Sequence, residues 1–158
     1  MATETERKFL IRGEEYKSEV FRSMHLTQGY LCSTPKCSAR VRISDDRGFL
    51  TLKGPSDARG LSRFEWEKEI PLSEARDLIP LCVSGLIDKT RHLVRNTDGR
   101  HVWEIDEFHG DNEGLVVAEI EISSDDDPFD RPSWLGEEVT GLRRYYNSSL
   151  SRHPFKDW

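Results

Sequence analysis

The chain has 158 residues, enough for one domain with a real core and too few for two comfortable ones. Charged residues make up 33% against a usual share of about 25%, yet aromatic residues recur in short patterned runs, which excludes a disordered chain. The net charge of −6 disfavours a general nucleic-acid surface, so an anion would need local clusters of the 23 Lys and Arg.

Period-two alternation dominates the chain and predicts strands with two unlike faces. The first runs from Thr3 to Ile11, with Glu4, Glu6 and Lys8 on one face and Thr5, Arg7, Phe9 and Ile11 on the other. A short helix is expected around Glu14 to Ser23, then a strand from Leu26 to Leu31. Ala39 to Ser44 sets Arg40 and Arg42 against Val41 and Ile43. Asp45-Asp46-Arg47-Gly48 reads as a hairpin turn into Phe49 to Gly54, where Thr51 and Lys53 oppose Leu50 and Leu52. Leu61 to Ile70 opposes Arg63, Glu65, Glu67 and Glu69 to Phe64, Trp66 and Ile70. Pro71 ends that strand, and Ser73 is a candidate N-cap for a helix over Glu74 to Leu81. Asp88 to Arg95 carries Lys89 and Arg91 on one face. Asn96-Thr97-Asp98-Gly99 turns into His101 to Phe108, where Glu104 and Asp106 oppose Trp103 and Ile105. Leu115 to Ile122 alternates Glu119 and Glu121 with Ala118, Ile120 and Ile122. Beyond Pro128 and Pro132, the stretch from Trp134 to Leu150 is expected to be helical in parts. Eight strand candidates and three short helical ones describe one antiparallel β-rich domain over residues 1–158.

Three cysteines, Cys32, Cys37 and Cys82, have no CxxC spacing and are expected to be reduced thiols, although Cys32 and Cys37 flank a turn. His25, His92, His101, His109 and His153 show no ligand spacing, so zinc is disfavoured. His101 and His109 are expected to flank a strand without chemistry, and Asp125-Asp126-Asp127 to be a solvated loop. The segment from Ala2 to Lys8 is acidic and polar, and no apolar run approaches a membrane span. The expectation is a soluble cytoplasmic protein with no membrane partner.

The chemistry lies in which residues share a face. Like-charged pairs recur at i, i+2: Glu4/Glu6, Glu65/Glu67, Glu104/Asp106 and Glu119/Glu121, then Arg40/Arg42 and Lys89/Arg91. Such pairs sit about 7 Å apart and repel. One pair alone is an ordinary solvated face. Repetition in both signs, opposite apolar faces, points instead to a closed barrel with charges inside and apolar residues outside, beneath the helices. Eight strands enclose about one small ligand. Buried charge costs several kcal/mol per ion, so the carboxylates call for cations and the bases for an oligoanion. Oxygen donors without Cys or His favour Mg²⁺ or Mn²⁺. Bases and such a cation around an anion are the equipment of phosphoryl transfer.

At Glu4-Thr-Glu6-Arg-Lys8 the chain resembles the ExExK signature of the CYTH superfamily, the triphosphate tunnel metalloenzymes. The likeness continues through Gln28-Gly29-Tyr30-Leu31, Ala39-Arg40-Val41-Arg42, Thr51-Leu52-Lys53 and Leu61 to Glu67. It then runs through Lys89-Thr90-Arg91, Trp103 to Phe108, Val117 to Glu121, Trp134 to Thr140 and Arg144-Tyr145-Tyr146-Asn147. It covers almost the whole chain and is nearest to the short bacterial members. The resemblance implies an α+β fold, an eight-stranded closed antiparallel β-barrel or tunnel with a charged interior and a few short helices outside. It implies Mg²⁺- or Mn²⁺-dependent hydrolysis of a triphosphate, with inorganic tripolyphosphate first and adenylate cyclase or thiamine or nucleoside triphosphatase activity as alternatives. A non-catalytic oligophosphate-binding module is the rival from another class. The implied partner is a small triphosphate, not nucleic acid, and a homodimer is left open.

The same resemblance implies Glu4, Glu6, Glu104, Asp106, Glu119 and Glu121 as metal carboxylates. Lys8, Arg40, Arg42, Lys53, Lys89, Arg91 and Arg144 would form the phosphate clamp. Glu4, Glu6 and Lys89 would be the catalytic groups, Lys89 acting on the leaving phosphate. Tyr146 stands near where many members carry Lys, a departure that puts a phosphate contact from that position in doubt.

Overall fold

Alternating faces make strands here, and strands with one charged and one apolar face satisfy both by closing. The computed structural model describes residues 3–158; Met1 and Ala2, the first residues of the expected domain, lie outside them. Nine strands form: β1 Thr3–Ile11, β2 Val20–Ser33, β3 Ser38–Ser44, β4 Arg47–Lys53, β5 Ser62–Ile70, β6 Ile87–Arg95, β7 Val102–Phe108, β8 Val116–Glu121 and β9 Leu135–Glu138. The order β5-β4-β3-β2-β6-β7-β8-β1 closes through a β1–β5 pairing, and β9 adds to β1 as an extra strand. Eight antiparallel strands thus make the expected closed barrel. Two short helices, α1 Leu72–Leu78 and α2 Asn147–Leu150, complete it. Among the described residues no helix is long and apolar enough to cross a membrane.

β1 is the seam. Thr3, Glu4 and Thr5 pair with β5, Glu6 to Leu10 pair with β8, and Phe9 and Ile11 pair with β9. Three residue pairs and a hydrogen bond from Glu6 N–H to the Leu61 carbonyl (3.1 Å) join β1 to β5, a short junction beside the longer β1–β8 ladder.

The outward face of β1, β7 and β8 carries the main apolar cluster, in which Phe9, Trp103, Ile105 and Ile120 pack with Tyr16 and Trp134. Trp103 is fully buried, its ring edge-on to Phe9 at 5.7 Å and to Trp134 at 5.5 Å. A second cluster lies on the inward face. Ile87, Phe108 and Val117 share strand faces with Lys89, Asp106 and Glu119, and close one end of the barrel with Tyr145 and Leu150.

Several local expectations change. The predicted helix from Glu14 to Ser23 is a 3₁₀ turn over Glu15–Glu19, after which β2 begins at Val20. Val20 and Phe21 favour extended backbone, and β2 gains a ladder with β6 from Val20↔Val94 onward. Residues 134–150 hold strand β9 as well as α2, because Leu135 pairs with Ile11 on β1. At α1 the N-cap is Pro71 without a side-chain cap, so Ser73 lies inside the helix. Phe64 and Trp66 do face outward, yet they are exposed, since α1 packs on β3 and β4 and leaves β5 uncovered. All three cysteines are free.

The Asp125–Asp127 loop is not wholly solvated. Asp127 is buried and accepts hydrogen bonds from the Ser123 backbone N–H (2.9 Å) and Arg100 (3.1 Å). His101 flanks β7 as expected, and it is buried between Asp98 (2.5 Å) and Asp127 (2.9 Å). The hydrogen bond to Asp127, then that to Asp98, raises the His101 pKa above its ordinary value. A raised folded-state pKa means the stabilisation is complete below about pH 6.5, the unfolded value, and is lost as pH rises through the folded one. Melting curves of the wild type and His101→Gln over a pH series should show the wild-type advantage shrinking as pH increases.

Candidate active site

The register places every charged pair on the lumen side. Arg40 sits across from Thr51, Thr51 from Glu67, Lys53 from Glu65, and Glu4 from Arg63. On the other side Arg91 sits across from Asp106, Glu104 from Glu119, and Glu119 from Lys8. Because the order around the barrel is fixed, the acids collect on β7, β8, β1 and β5, which are neighbours. The bases collect on β4, β3 and β6. Lys8 and Arg63 are the two cations on the acidic wall.

Between the walls lies a cavity of about 440 Å³ lined by Glu4, Glu6, Arg40, Arg42, Lys53 and Arg91, with Glu65, Glu67, Glu104, Glu119 and Glu121. One end opens into a wider vestibule of about 810 Å³ that shares Arg42, Arg91, Glu104 and Glu121 with it. The other end narrows to about 40 Å³ beside Lys8, Arg63, Lys89, Tyr146 and Asn147. The lumen is therefore open at one end and nearly closed at the other.

Ion pairs cross the lumen and hold both walls. Lys53 donates to Glu4 at 2.7 Å and lies 3.4 Å from Glu65. Arg40 and Arg42 approach Glu67 at 3.6 Å and 3.4 Å, and the Thr51 hydroxyl donates to Glu67 at 2.7 Å. Lys8 lies 3.4 Å from Glu119. Deepest is Asp106, 1% exposed, which accepts from Lys89 at 2.7 Å and from Arg91 at 2.7 and 2.9 Å. Arg91 also pairs with Glu104.

The protonation of these groups follows their neighbours. Burial, then the Glu119 and Glu4 carboxylates beside it, push Glu6 well above the usual carboxylate range. Burial acts on Glu4 and Glu119 in the same direction but loses. Hydrogen bonding to Glu65 and the Lys53 charge hold Glu4 low, and Lys8, Arg91 and Lys89 hold Glu119 low. Burial and the hydrogen bond to Glu4 bring Glu65 up to about 7. Burial, only partly offset by Asp106, brings Lys89 down to about 8. Burial, then Arg40 and Arg91, lower Arg42 to about 10.

Along the row Glu65–Glu4–Glu6–Glu119, Glu6 and Glu65 are pushed toward the protonated form while Glu4 and Glu119 are held ionised. Carboxylates crowded in this way are what a divalent cation neutralises, so this all-oxygen donor row fits Mg²⁺ or Mn²⁺. Among the described residues no three acidic, His or Cys side chains are already drawn together as a ligand cluster. Asp106, included among the metal carboxylates from sequence, has both oxygens engaged by Lys89 and Arg91 and sits behind the row. Glu121 is exposed at the open end.

Arg144 is not brought into the lumen. It is exposed, with its guanidinium 4.5 Å from the Trp158 ring centroid and 3.2 Å from the Tyr145 hydroxyl. Two lumen groups escaped the sequence reading as ligands. Arg63 shares its strand face with Glu65 and Glu67, a parity visible in the sequence, but it was grouped with the acidic strand. Asn147, whose Oδ1 accepts from Lys89 at 3.0 Å and Gln28 at 3.2 Å, lies in an aperiodic segment that gives no facing signal.

With this geometry in place, the comparisons are decisive for family. The CYTH domain matches residues 2–153. A protein of Acetivibrio thermocellus named inorganic triphosphatase is 43% identical over 100% of this chain and 99% of its own length. One of the same name from Nitrosomonas europaea is 36% identical over 94% of this chain and 97% of its own length. A crystal structure described as an inorganic triphosphatase superposes with a TM-score of 0.68 at 34% identity, covering 96% of this chain and 95% of the other. The fold and lumen define a charged-tunnel β-barrel, and the chain belongs to the CYTH domain family.

Removing one member of a buried ion pair leaves uncompensated charge, which costs about 3–5 kcal/mol. Asp106→Ala should lose stability on that scale in denaturant unfolding, more than Glu121→Ala at the exposed mouth.

Proposed function

We infer that the protein is a divalent-metal-dependent triphosphatase acting on inorganic tripolyphosphate. The observation that carries this reading is the two-walled lumen: acids on the adjacent strands β7, β8, β1 and β5 facing bases on β4, β3 and β6, with β2 between the last two. A linear oligophosphate is the shape that fits between such walls. Its oxygens meet Arg40, Arg42, Lys53, Lys89 and Arg91 on one side, where Arg forks hold two oxygens at once. On the other side Glu4, Glu6 and Glu119, with Glu104 and Glu121 toward the mouth, would hold Mg²⁺ or Mn²⁺. Bound there, the cation would polarise phosphate oxygens and lower the pKa of an attacking water.

The chain's own residues then have separable tasks. The basic wall positions the phosphates and takes up the negative charge that builds on them. Lys89, buried and poised near neutrality, stands beside the inner end and can give a proton to the departing phosphate. The inner end is narrow and backed by the apolar cluster that includes Tyr145 and Leu150, which limits access of bulk water. Water adds its oxygen to phosphorus, the bridging P–O bond breaks toward the leaving group, and the leaving oxygen takes the proton. The names of the relatives from Acetivibrio thermocellus and Nitrosomonas europaea support inorganic triphosphate as substrate.

A phosphate-release screen with tripolyphosphate, ATP, thiamine triphosphate and pyrophosphate, with and without Mg²⁺ or Mn²⁺, tests the reading. Tripolyphosphate should be turned over fastest, with activity abolished by a chelator and restored by the metal. Binding without release would favour a non-catalytic module, and cyclic AMP from ATP would favour a cyclase. Glu6→Ala should lower metal-dependent kcat by at least about a hundredfold. Lys53→Ala removes a ground-state clamp and should mainly raise KM, by about tenfold, in steady-state kinetics.

A further inference from the structure

At the narrow inner end of the lumen one aromatic side chain, Tyr146, stands among the lumen cations, and its placement bears on which bond is cut. β1 and β5 pair over three residues, with one further hydrogen bond from Glu6 N–H to the Leu61 carbonyl (3.1 Å), and β5 extends no further toward the inner end. Tyr146 lines that end beside Lys8 of β1 and Arg63 of β5. Its ring lies between two lumen cations, with Lys8 Nζ 5.3 Å and the Arg63 guanidinium 5.7 Å from its centroid. Cation–ring contacts of this kind hold an aromatic in place while leaving the cations free to meet an anion.

The surroundings leave the ring little freedom. Gly60 has a φ of +72°, and a Cβ there would come within 2.4 Å of Gly141 and 3.0 Å of the Tyr146 hydroxyl. The backbone turn is fixed as well, since the Tyr146 carbonyl accepts from Ser149 and Leu150, each at 2.9 Å. Next along the chain, Asn147 ties the segment to Lys89 and Gln28. Tyr146 lines both the narrow inner pocket and a still smaller neighbouring space of about 20 Å³, together with Glu6, Lys8 and Arg63.

The inner pocket, at about 40 Å³, has room for roughly three waters, the scale of one phosphate group. Lys8, Arg40, Lys53, Arg63, Lys89 and Arg91 line it, so a terminal phosphate, the most charged unit of the chain, is drawn to that end. Glu6 and Glu119 line both this pocket and the main cavity, at the boundary between the first phosphate and the second.

We propose that Tyr146, held between Lys8 and Arg63, is an end stop that sets the cleavage register. The terminal phosphate halts against the ring, and the first phosphoanhydride bond then lies beside Glu6 and Glu119. Longer chains enter from the vestibule and are cut one phosphate at a time from the inserted end. Arg63 binds that terminal phosphate and positions the ring. This rests on the triphosphatase reading and specifies which bond that activity breaks.

The test is the product pattern from tetrapolyphosphate with Mg²⁺, followed at early times by ³¹P NMR. End cleavage adds water across the first bond and yields one orthophosphate and one tripolyphosphate. Central cleavage yields two pyrophosphates. The wild type should produce orthophosphate and tripolyphosphate in equal amounts. In Tyr146→Ala the chain can slide past the end, and the initial pyrophosphate share should rise at least about tenfold. Tyr146→Phe retains the ring and should retain the wild-type pattern, while Arg63→Gln loosens the ring and should shift products in the direction of Tyr146→Ala. A purely structural role for Tyr146 would slow turnover without altering the ratio, and an unaltered ratio in both Tyr146→Ala and Arg63→Gln overturns the proposal. Wild-type protein that forms pyrophosphate from the outset overturns it without any variant. Wild-type protein that leaves tripolyphosphate intact removes the triphosphatase reading itself.

Discussion

Asp106 with Lys89 and Arg91 is the contact on which the rest of the barrel depends. An unpaired charge with 1% exposure would cost several kcal/mol, and here one carboxylate compensates two cations from the next strand. The same requirement governs each lumen group in turn. Like charges two residues apart along a strand repel, so each must find its partner on a neighbouring strand or across the lumen. A barrel with acids on one arc and bases on the other meets this demand within the protein, while keeping both arcs close enough to act on an inserted anion. The stability of the fold and the readiness of the site are thus the same electrostatic arrangement.

Not all of that compensation is complete. The row of Glu65, Glu4, Glu6 and Glu119 has more carboxylate than nearby base, whereas Asp106 has more base than carboxylate. The barrel therefore carries a local negative excess beside a local positive one. A divalent cation suits the first and a phosphate the second, so each ligand improves the site for the other.

Much of this was legible in the sequence. The i, i+2 charged pairs named the lumen face of six strands, because a period of two is a backbone property that tertiary context rarely changes. Glycine and Asp-rich turns located the hairpins. What failed had a common cause. Val20 to Ser23 went to strand because β6 offered a ladder, and Leu135 to Glu138 did so because β1 had an unused edge; neither partner is visible locally. Arg144 was expected in the clamp because it sits in a motif, but motifs do not fix side-chain direction in an aperiodic turn, and Trp158 takes its guanidinium instead. His101 and Asp127 found each other across 26 residues, a pairing no spacing rule anticipates.

The junction of β1 with β9 has a bearing on how the molecule is made. Lys8 N–H donates to the Thr140 hydroxyl at 2.9 Å, and Arg7 is held by Glu138, contacts spanning 132 and 131 residues. Loop closure on that scale comes late, since its entropy must be met before the contact rewards it. During synthesis the strands from β2 to β7 can pair with sequence neighbours while β1 waits for β8, β9 and the Tyr146 segment to leave the ribosome. Until then the inward charges of an open sheet face water and cost little. Closure brings burial, pairing and the lumen into being together, so a partly folded chain has no half-formed site to misuse its ligands.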